Sequence, residues 1–222
     1  MGRQSTTWMQ SEGNAWHDRN VAKLGGRPDP VIDTILELNL FPETVFEVGC
    51  GNGWRLAQLR DRVGCKAWGC DLSTAAIADG MRRYRKDSWD DTFNIGWREA
   101  KNMRGIPTHG FDMVIYGFCL YQVDPEDLFQ IVKEGDRILK DGGHLIVYDF
   151  LPDAPHSRNY GHVKELKTYK MNHAQLWLAH PYYSLKHSNH YPHEEGEMIT
   201  SDTRVGVTVL HKNIQRAFPL HD

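Results

Sequence analysis

A glycine-rich turn between an apolar strand and a helix constrains the fold of this chain more than any other segment. Glu47-Val48-Gly49-Cys50-Gly51-Asn52-Gly53 follows the β-branched and aromatic run Thr44-Val45-Phe46. It precedes a stretch from Arg55 to Val63 whose Leu56, Ala57 and Leu59 fall near helical spacing. Glycine lets a chain reverse tightly and lets a ligand approach the backbone, while the first amides of the helix face that ligand. The rest of the pattern extends the motif. Lys66 to Cys70 reads as a second strand ending at Asp71, and Ser73 as the N-cap of a helix through Arg85. Phe93–Trp97 and Phe111–Tyr116 read as strands, and Pro125–Leu139 as an amphipathic helix. Asp141-Gly142-Gly143 then turns into a strand over His144–Asp149. Upstream, Asp29-Pro30 caps a helix carrying Val31, Ile32, Ile35 and Leu36. Alternation of this kind predicts an α/β fold, a doubly wound, mostly parallel sheet with helices on both faces.

The alternation stops after Asp149. Residues 150–200 are predicted to be an insertion with a helical stretch near 161–179, followed by a final antiparallel strand over Arg204–Leu210. Residues 1–28 are polar and read as a mobile segment or lid, with the domain proper over 29–222. The chain has 222 residues with 40% hydrophobic and 25% charged, ordinary for a globular protein. A net charge of −3 argues against a broad nucleic-acid footprint. Met1 to Asn20 does not read as a signal peptide, and no apolar run approaches the length of a membrane span. Cys50, Cys65, Cys70 and Cys119 form no C-x-x-C pair, so free thiols in a cytoplasmic protein are expected.

Asp71 lies 22 residues beyond Gly49, the distance at which a carboxylate accepts from the two hydroxyls of a ribose. A dinucleotide and S-adenosylmethionine both carry that ribose. A dinucleotide site wants G-x-G-x-x-G, whose last glycine admits close packing around a pyrophosphate. Here the glycines run G-x-G-x-G, Trp54 follows Gly53, and Glu47 adds a negative charge beside the loop. That carboxylate repels pyrophosphate and tolerates the ammonium and sulfonium of S-adenosylmethionine.

The chain resembles the class I S-adenosylmethionine-dependent methyltransferases. Val45 to Gly53 looks like their first motif, and Trp68-Gly69-Cys70-Asp71-Leu72-Ser73 like the second strand with its ribose-binding acid. Phe111–Tyr116 is similar to their fourth strand. Leu139-Lys140-Asp141-Gly142-Gly143 is similar to the turn before their fifth, with Asp141 in place of proline. The resemblance implies Glu47, Gly49, Cys50, Gly51 and Gly53 near the methionine end of the cofactor, and Asp71 with Leu72 at the ribose. Trp97-Arg98-Glu99-Ala100 departs from the usual sequence after strand three; Glu99 is the candidate acceptor for the adenine amino group. Tyr116 to Tyr121 is expected to border cofactor and substrate. In the polar leader, Trp16 is a candidate aromatic face for the sulfonium and Arg19 a candidate partner of the cofactor carboxylate.

The acceptor is expected in the insertion. His156, His162, His173, His180, His187, His190 and His193 place seven of the twelve histidines there. A hydroxyl acceptor must lose a proton, so His156 or His162, nearest in sequence to the fifth strand, is the candidate base. Tyr121, Tyr160 and Tyr169 are candidate substrate contacts, and Arg158, with Lys170, is a candidate partner for a phosphate or carboxylate. His187, His190 and His193 do not share one face of a strand, so no metal is expected. These observations predict methyl transfer to a hydroxyl or amine of a small polar metabolite or glycan precursor. The alternatives are a cofactor-binding regulatory module without turnover, an RNA-modifying enzyme, or an NAD-dependent oxidoreductase.

Overall fold

A computed structural model describes residues 3–25 and 28–220. Residues 1, 2, 26 and 27 of the expected leader lie outside it. The leader is helical where described: α1 (Arg3–Thr7), a π-type turn (Trp8–Glu12), α2 (Gly13–Asn20) and a 3-10 turn (Val21–Lys23). Next come α3 (Pro30–Glu37), β1 (Thr44–Val48), α4 (Trp54–Val63), β2 (Lys66–Asp71), α5 (Thr74–Tyr84), β3 (Phe93–Trp97) and β4 (Phe111–Gly117). After them lie α6 (Leu128–Ile138), β5 (Leu139–Phe150), β6 (His156–Asn159), β7 (Lys167–Lys170), α7 (Gln175–Leu178), β8 (Tyr183–Pro192) and β9 (Arg204–Lys212).

The main sheet runs β3-β2-β1-β4-β5-β9-β8. β3 to β5 are parallel, β9 is antiparallel to β5, and β8 is antiparallel to β9. Alternate residues serve opposite core layers, which is why these strands read as continuous apolar runs. Phe46, Val48, Val114, Tyr116, Leu145 and Val147 pack with Ile131 and Ile138 of α6 and with Trp177. Val45, Met113, Ile115 and Ile146 pack with α3 and α4 through Val31, Ile32, Ile35, Leu56 and Leu59. Strand order reverses between β1 and β4, the position in such sheets where ligands bind beyond the strand ends.

Local chemistry sets the helix starts. Asp29 accepts from Val31 N–H at 3.1 Å and Ile32 N–H at 3.0 Å, with Pro30 in the first turn. Ser73 Oγ accepts from Ala76 N–H at 3.0 Å.

Two expectations are corrected. The helical stretch near 161–179 is a β6–β7 hairpin followed by a single turn, α7. Leu166, Thr168 and Lys170 are buried while Lys167 and Tyr169 are not, a period of two. The turn at Asp141-Gly142-Gly143 lies inside β5. Phe111 pairs with Leu139 but Met113 with His144, so the extra residues form a bulge with Gly142 at φ 78°. The leader packs against the domain and buries Gln4, Glu12 and His17. Among the described residues, no helix is long and apolar enough to cross a membrane.

Candidate cofactor and acceptor site

The glycine loop closes on itself through Asp71. Asp71 Oδ2 accepts from Gly51 N–H at 2.8 Å, and Oδ1 accepts from Ser73 N–H at 2.8 Å. The carboxylate is thus fixed between the loop and α5 while staying partly exposed at the end of β2. Burial pushes its pKa up, against the backbone N–H groups that hold it down. Gly49, Gly51 and Gly53 all have positive φ, near 71°, 56° and 73°. Two of them are also packed: a Cβ at Gly49 would stand 2.5 Å from Cys119 Cβ, and one at Gly53 2.8 Å from Phe93. Gly51 differs, with nothing within 4 Å of the place a Cβ would take. The loop is therefore pinned on both sides and open at its crest, beside Asp71.

Beneath the loop, Glu47 is fully buried. Arg55, on the first turn of α4, donates through Nη1 to Glu47 Oε1. The same guanidinium grips Asp29 through Nε at 3.0 Å and Nη2 at 2.9 Å. Glu47 Oε2 is buried without a partner among the described residues. Burial pushes the Glu47 pKa up to about 7, against the pull of Arg55. A carboxyl raised in the folded state holds a proton that the unfolded chain has lost. Its contribution to stability is therefore intact below the unfolded value near 4.5 and declines as pH rises through about 7. We expect the stability of the parent relative to Glu47→Gln to fall as pH rises from 5 to 8, measured by urea unfolding; a pH-independent difference would refute the raised value.

β4 ends in a kink. Phe118 adopts φ 63°, and its N–H donates to Tyr148 O at 2.7 Å. Asp149, buried at the end of β5, accepts from Leu120 N–H at 2.9 Å, Tyr121 N–H at 3.2 Å and Phe150 N–H at 2.7 Å. Burial raises its pKa to about 7. The kink turns the Phe118 ring onto Tyr121, Tyr148 and Phe150, with centroids 5.0–5.3 Å apart, and His193 stacks on it at 5.4 Å and 9°. These rings make a partly exposed floor one residue from Cys119, which touches Gly49.

The leader borders the same region. Asn14 Oδ1 accepts from Ser73 Oγ at 2.8 Å and Ala75 N–H at 3.1 Å, beside Asp71. Glu12 Oε1 accepts from Tyr160 Oη at 2.8 Å and from Arg19 Nη2. Gln4 N–H donates to Asp124 at 3.0 Å, and Lys167 N–H donates to Gln4 Oε1.

The expected site residues are distributed as follows. Glu47, Gly49, Cys50, Gly51, Gly53 and Asp71 converge on the loop. Leu72 contributes its carbonyl, which accepts from Trp97 Nε1 at 3.1 Å. Glu99 lies just beyond β3, and its Oε1 is buried without a partner among the described residues. Trp16 is half-buried on α2. Tyr121 joins the ring floor. Six other candidates are placed as follows. Tyr116 is buried under α6, its hydroxyl donating to Ile131 O at 3.3 Å, because even positions of β4 face that layer. Arg19 is engaged by Glu12 and Tyr160 rather than standing free. His156 has both ring nitrogens in use, Nδ1 with Ala154 O at 3.0 Å and Nε2 with Asp202 at 2.9 Å. His162 is exposed, edge-on to Tyr160. Arg158 is exposed and pairs with Asp202 at 3.2 Å, and Tyr169 sits on β7 opposite Ser157. Among the described residues, no three His, Cys, Asp or Glu side chains group as metal ligands. Asp29, Arg55, Glu12 and Asn14 were not singled out as site residues, and Phe118 only as part of the span Tyr116 to Tyr121. Arg55 carried a signal, a charged residue on the inward face of an otherwise apolar-faced helix.

Residues 45–143 match a protein family described as a methyltransferase domain. Over the described residues the chain shares the Rossmann-like α/β fold of solved methyltransferases. The 1,6-didemethyltoxoflavin-N1-methyltransferase of Burkholderia thailandensis superposes with a TM-score of 0.74 at 17% identity, covering 94% of this chain and 88% of that one. That protein was solved with 1,6-didemethyltoxoflavin and S-adenosylhomocysteine bound. A SAM-dependent methyltransferase from Methanosarcina mazei superposes with a TM-score of 0.63 at 16% identity, covering 84% of this chain and 98% of that one. In sequence, part of the chain is similar to the demethylmenaquinone methyltransferases of two Tropheryma whipplei strains. The identity is 29% over 108 residues, 49% of this chain and 42% of the relatives' length. The match thus spans less than half of those relatives.

Proposed function

We propose that this chain binds S-adenosylmethionine across the glycine loop and transfers its methyl group to a hydroxyl or amine of a small molecule. The observation that carries this reading is the Asp71 carboxylate fixed to Gly51 N–H beside an open loop crest. The residues fit the cofactor. Asp71 would take the ribose hydroxyls, the free Glu47 Oε2 is an acceptor for an ammonium, and Glu99 Oε1 is an acceptor for the adenine edge. When bound, the cofactor supplies a methyl group on a positively charged sulfur. The chain aligns the acceptor and excludes water, with Trp8, Trp16 and Tyr160 on the leader side and the Phe118 floor opposite. The two candidate bases are unequal in the free protein. His156 is committed to Asp202, whereas the His162 ring is open to solvent. The four cysteines are free thiols, which suits a reducing compartment.

The test is ligand-induced stabilisation. S-adenosylhomocysteine at 100 times its dissociation constant should stabilise the fold by about 2.7 kcal/mol. Asp71→Ala should lose most of that gain at the same concentration. If neither cofactor form shifts the melting transition of the parent, the reading is wrong.

A further inference from the structure

The ring floor continues into a cluster of cations. Lys170 is 9% exposed, and its Nζ sits 3.8 Å above the centre of the Phe150 ring. That ammonium donates to Asp202 O at 2.7 Å and Asp202 Oδ1 at 3.1 Å. The same Oδ1 also meets His156 Nε2 at 2.9 Å and Arg158 Nε at 3.2 Å. One carboxylate oxygen therefore serves three nitrogen bases, two of them permanent cations near neutral pH. These partners hold Asp202 ionised, lowering its pKa to about 2. The other acid near Lys170 is Asp149, whose oxygens are taken by three backbone N–H groups. Arg204 and Asp153, close by in the chain, pair with each other. Positive charge is left in excess, and it is accessible. Arg158 is 61% exposed on its side chain and engages Asp202 only through Nε. Its two Nη groups have no partner among the described residues. The neighbouring chain closes the circuit, because His193 N–H donates to Thr203 O at 2.8 Å while its ring stacks on Phe118.

The near-parallel Phe118 and His193 rings, with a buried ammonium over the neighbouring Phe150 ring and a half-free guanidinium fork joined to it through Asp202, match one kind of small molecule. A ring stacks on Phe118 and His193, and a carboxylate meets the fork and the ammonium. We propose that the methyl acceptor is an aromatic acid, seated on the Phe118–Phe150–His193 floor with its carboxylate against Arg158 and Lys170. This rests on the methyl-transfer reading and names its substrate class. It also gives His156 a positioning part: it shares Asp202 with Arg158 and Lys170, so it sets how tightly those two are held.

The test titrates three probes of one size by calorimetry, with and without S-adenosylhomocysteine: 4-hydroxybenzoate, its methyl ester and tyramine. The acid should bind roughly tenfold tighter than the neutral ester, the effect of one charge-assisted contact at a partly exposed site. Tyramine should bind weakest. Arg158→Gln, on an exposed side chain, should bring the acid down to the level of the ester and leave S-adenosylhomocysteine affinity unchanged. The proposal is overturned if the ester binds as tightly as the acid, if none of the three binds saturably, or if Arg158→Gln keeps the full preference. Because the probes are also titrated alone, the two readings fail separately. Acid-selective binding without any binding of S-adenosylhomocysteine would remove the methyl donor and leave the aromatic-acid pocket standing.

Discussion

Replacing Arg55 with methionine is expected to destabilise the fold by about 3–5 kcal/mol, the cost of stripping a buried ion cluster of its cation. For a domain of this size that is a fall of roughly 6–20 °C in melting temperature. Arg55 is the shared partner of Asp29 and Glu47, and all three side chains are buried. With the guanidinium gone, two carboxylates face each other across an apolar gap. Asp29 keeps its bonds to the first turn of α3, but Glu47 keeps no hydrogen bond on either oxygen among the described residues. The surrounding backbone is shaped to the cation, since a Cβ at Gly117 would overlap Arg55 Nη1 and Glu47 Oε1. Methionine fills part of the volume and supplies no charge. The double variant Arg55→Met/Glu47→Gln should recover part of the loss by removing one of the stranded acids. Urea unfolding measures all three proteins. A loss below about 1 kcal/mol in the single variant would show that the cluster is solvated in solution, as exposed pairs are.

The core of the fold was legible because its residues obey local rules that packing then reinforces. Asp29 and Ser73 cap where capping residues should, and Gly49 to Gly53 turn where glycine alone is comfortable. The same rules missed the leader, whose contact with the domain is made by polar groups. Gln4, Glu12, Asn14 and Arg19 hold it through hydrogen bonds to Asp124, Tyr160 and Ser73 that leave no apolar period to read. β8 was missed for a related reason. It is an edge strand with most of its side chains exposed, so backbone pairing to β9 specifies it rather than side-chain burial. In the candidate site, the loop and Asp71 followed from spacing. The ring floor did not, because it depends on the left-handed turn at Phe118, a residue type that seldom takes it. Arg158 and Lys170 were visible as cations, whereas their convergence on Asp202 joins chain segments more than thirty residues apart.

Gly80→Ala is expected to reverse the usual sign of a glycine-to-alanine change in a helix. In a helix interior alanine is favoured over glycine by about 1 kcal/mol. Gly80 lies within α5, and a Cβ there would overlap Asn52 O and stand 2.6 Å from Ile95 Cδ1. The obstacle is backbone of the glycine loop, so no side-chain rotation relieves it; α5 and the loop must separate. The two are also tied by Asn52 Nδ2, which donates to Asp79 Oδ2 at 3.0 Å. Overpacking of this kind costs about 2–3 kcal/mol. It should also weaken S-adenosylhomocysteine, because moving Asn52 disturbs the backbone that presents Gly51 N–H to Asp71. Gly96→Ala is the control. Its site in β3 has nothing within 4 Å of the added carbon and no positive φ, so stability should stay level or rise by about 0.4–1 kcal/mol. Equal stability of the Gly80 and Gly96 variants would mean that α5 and the glycine loop are less closely packed than their contact implies.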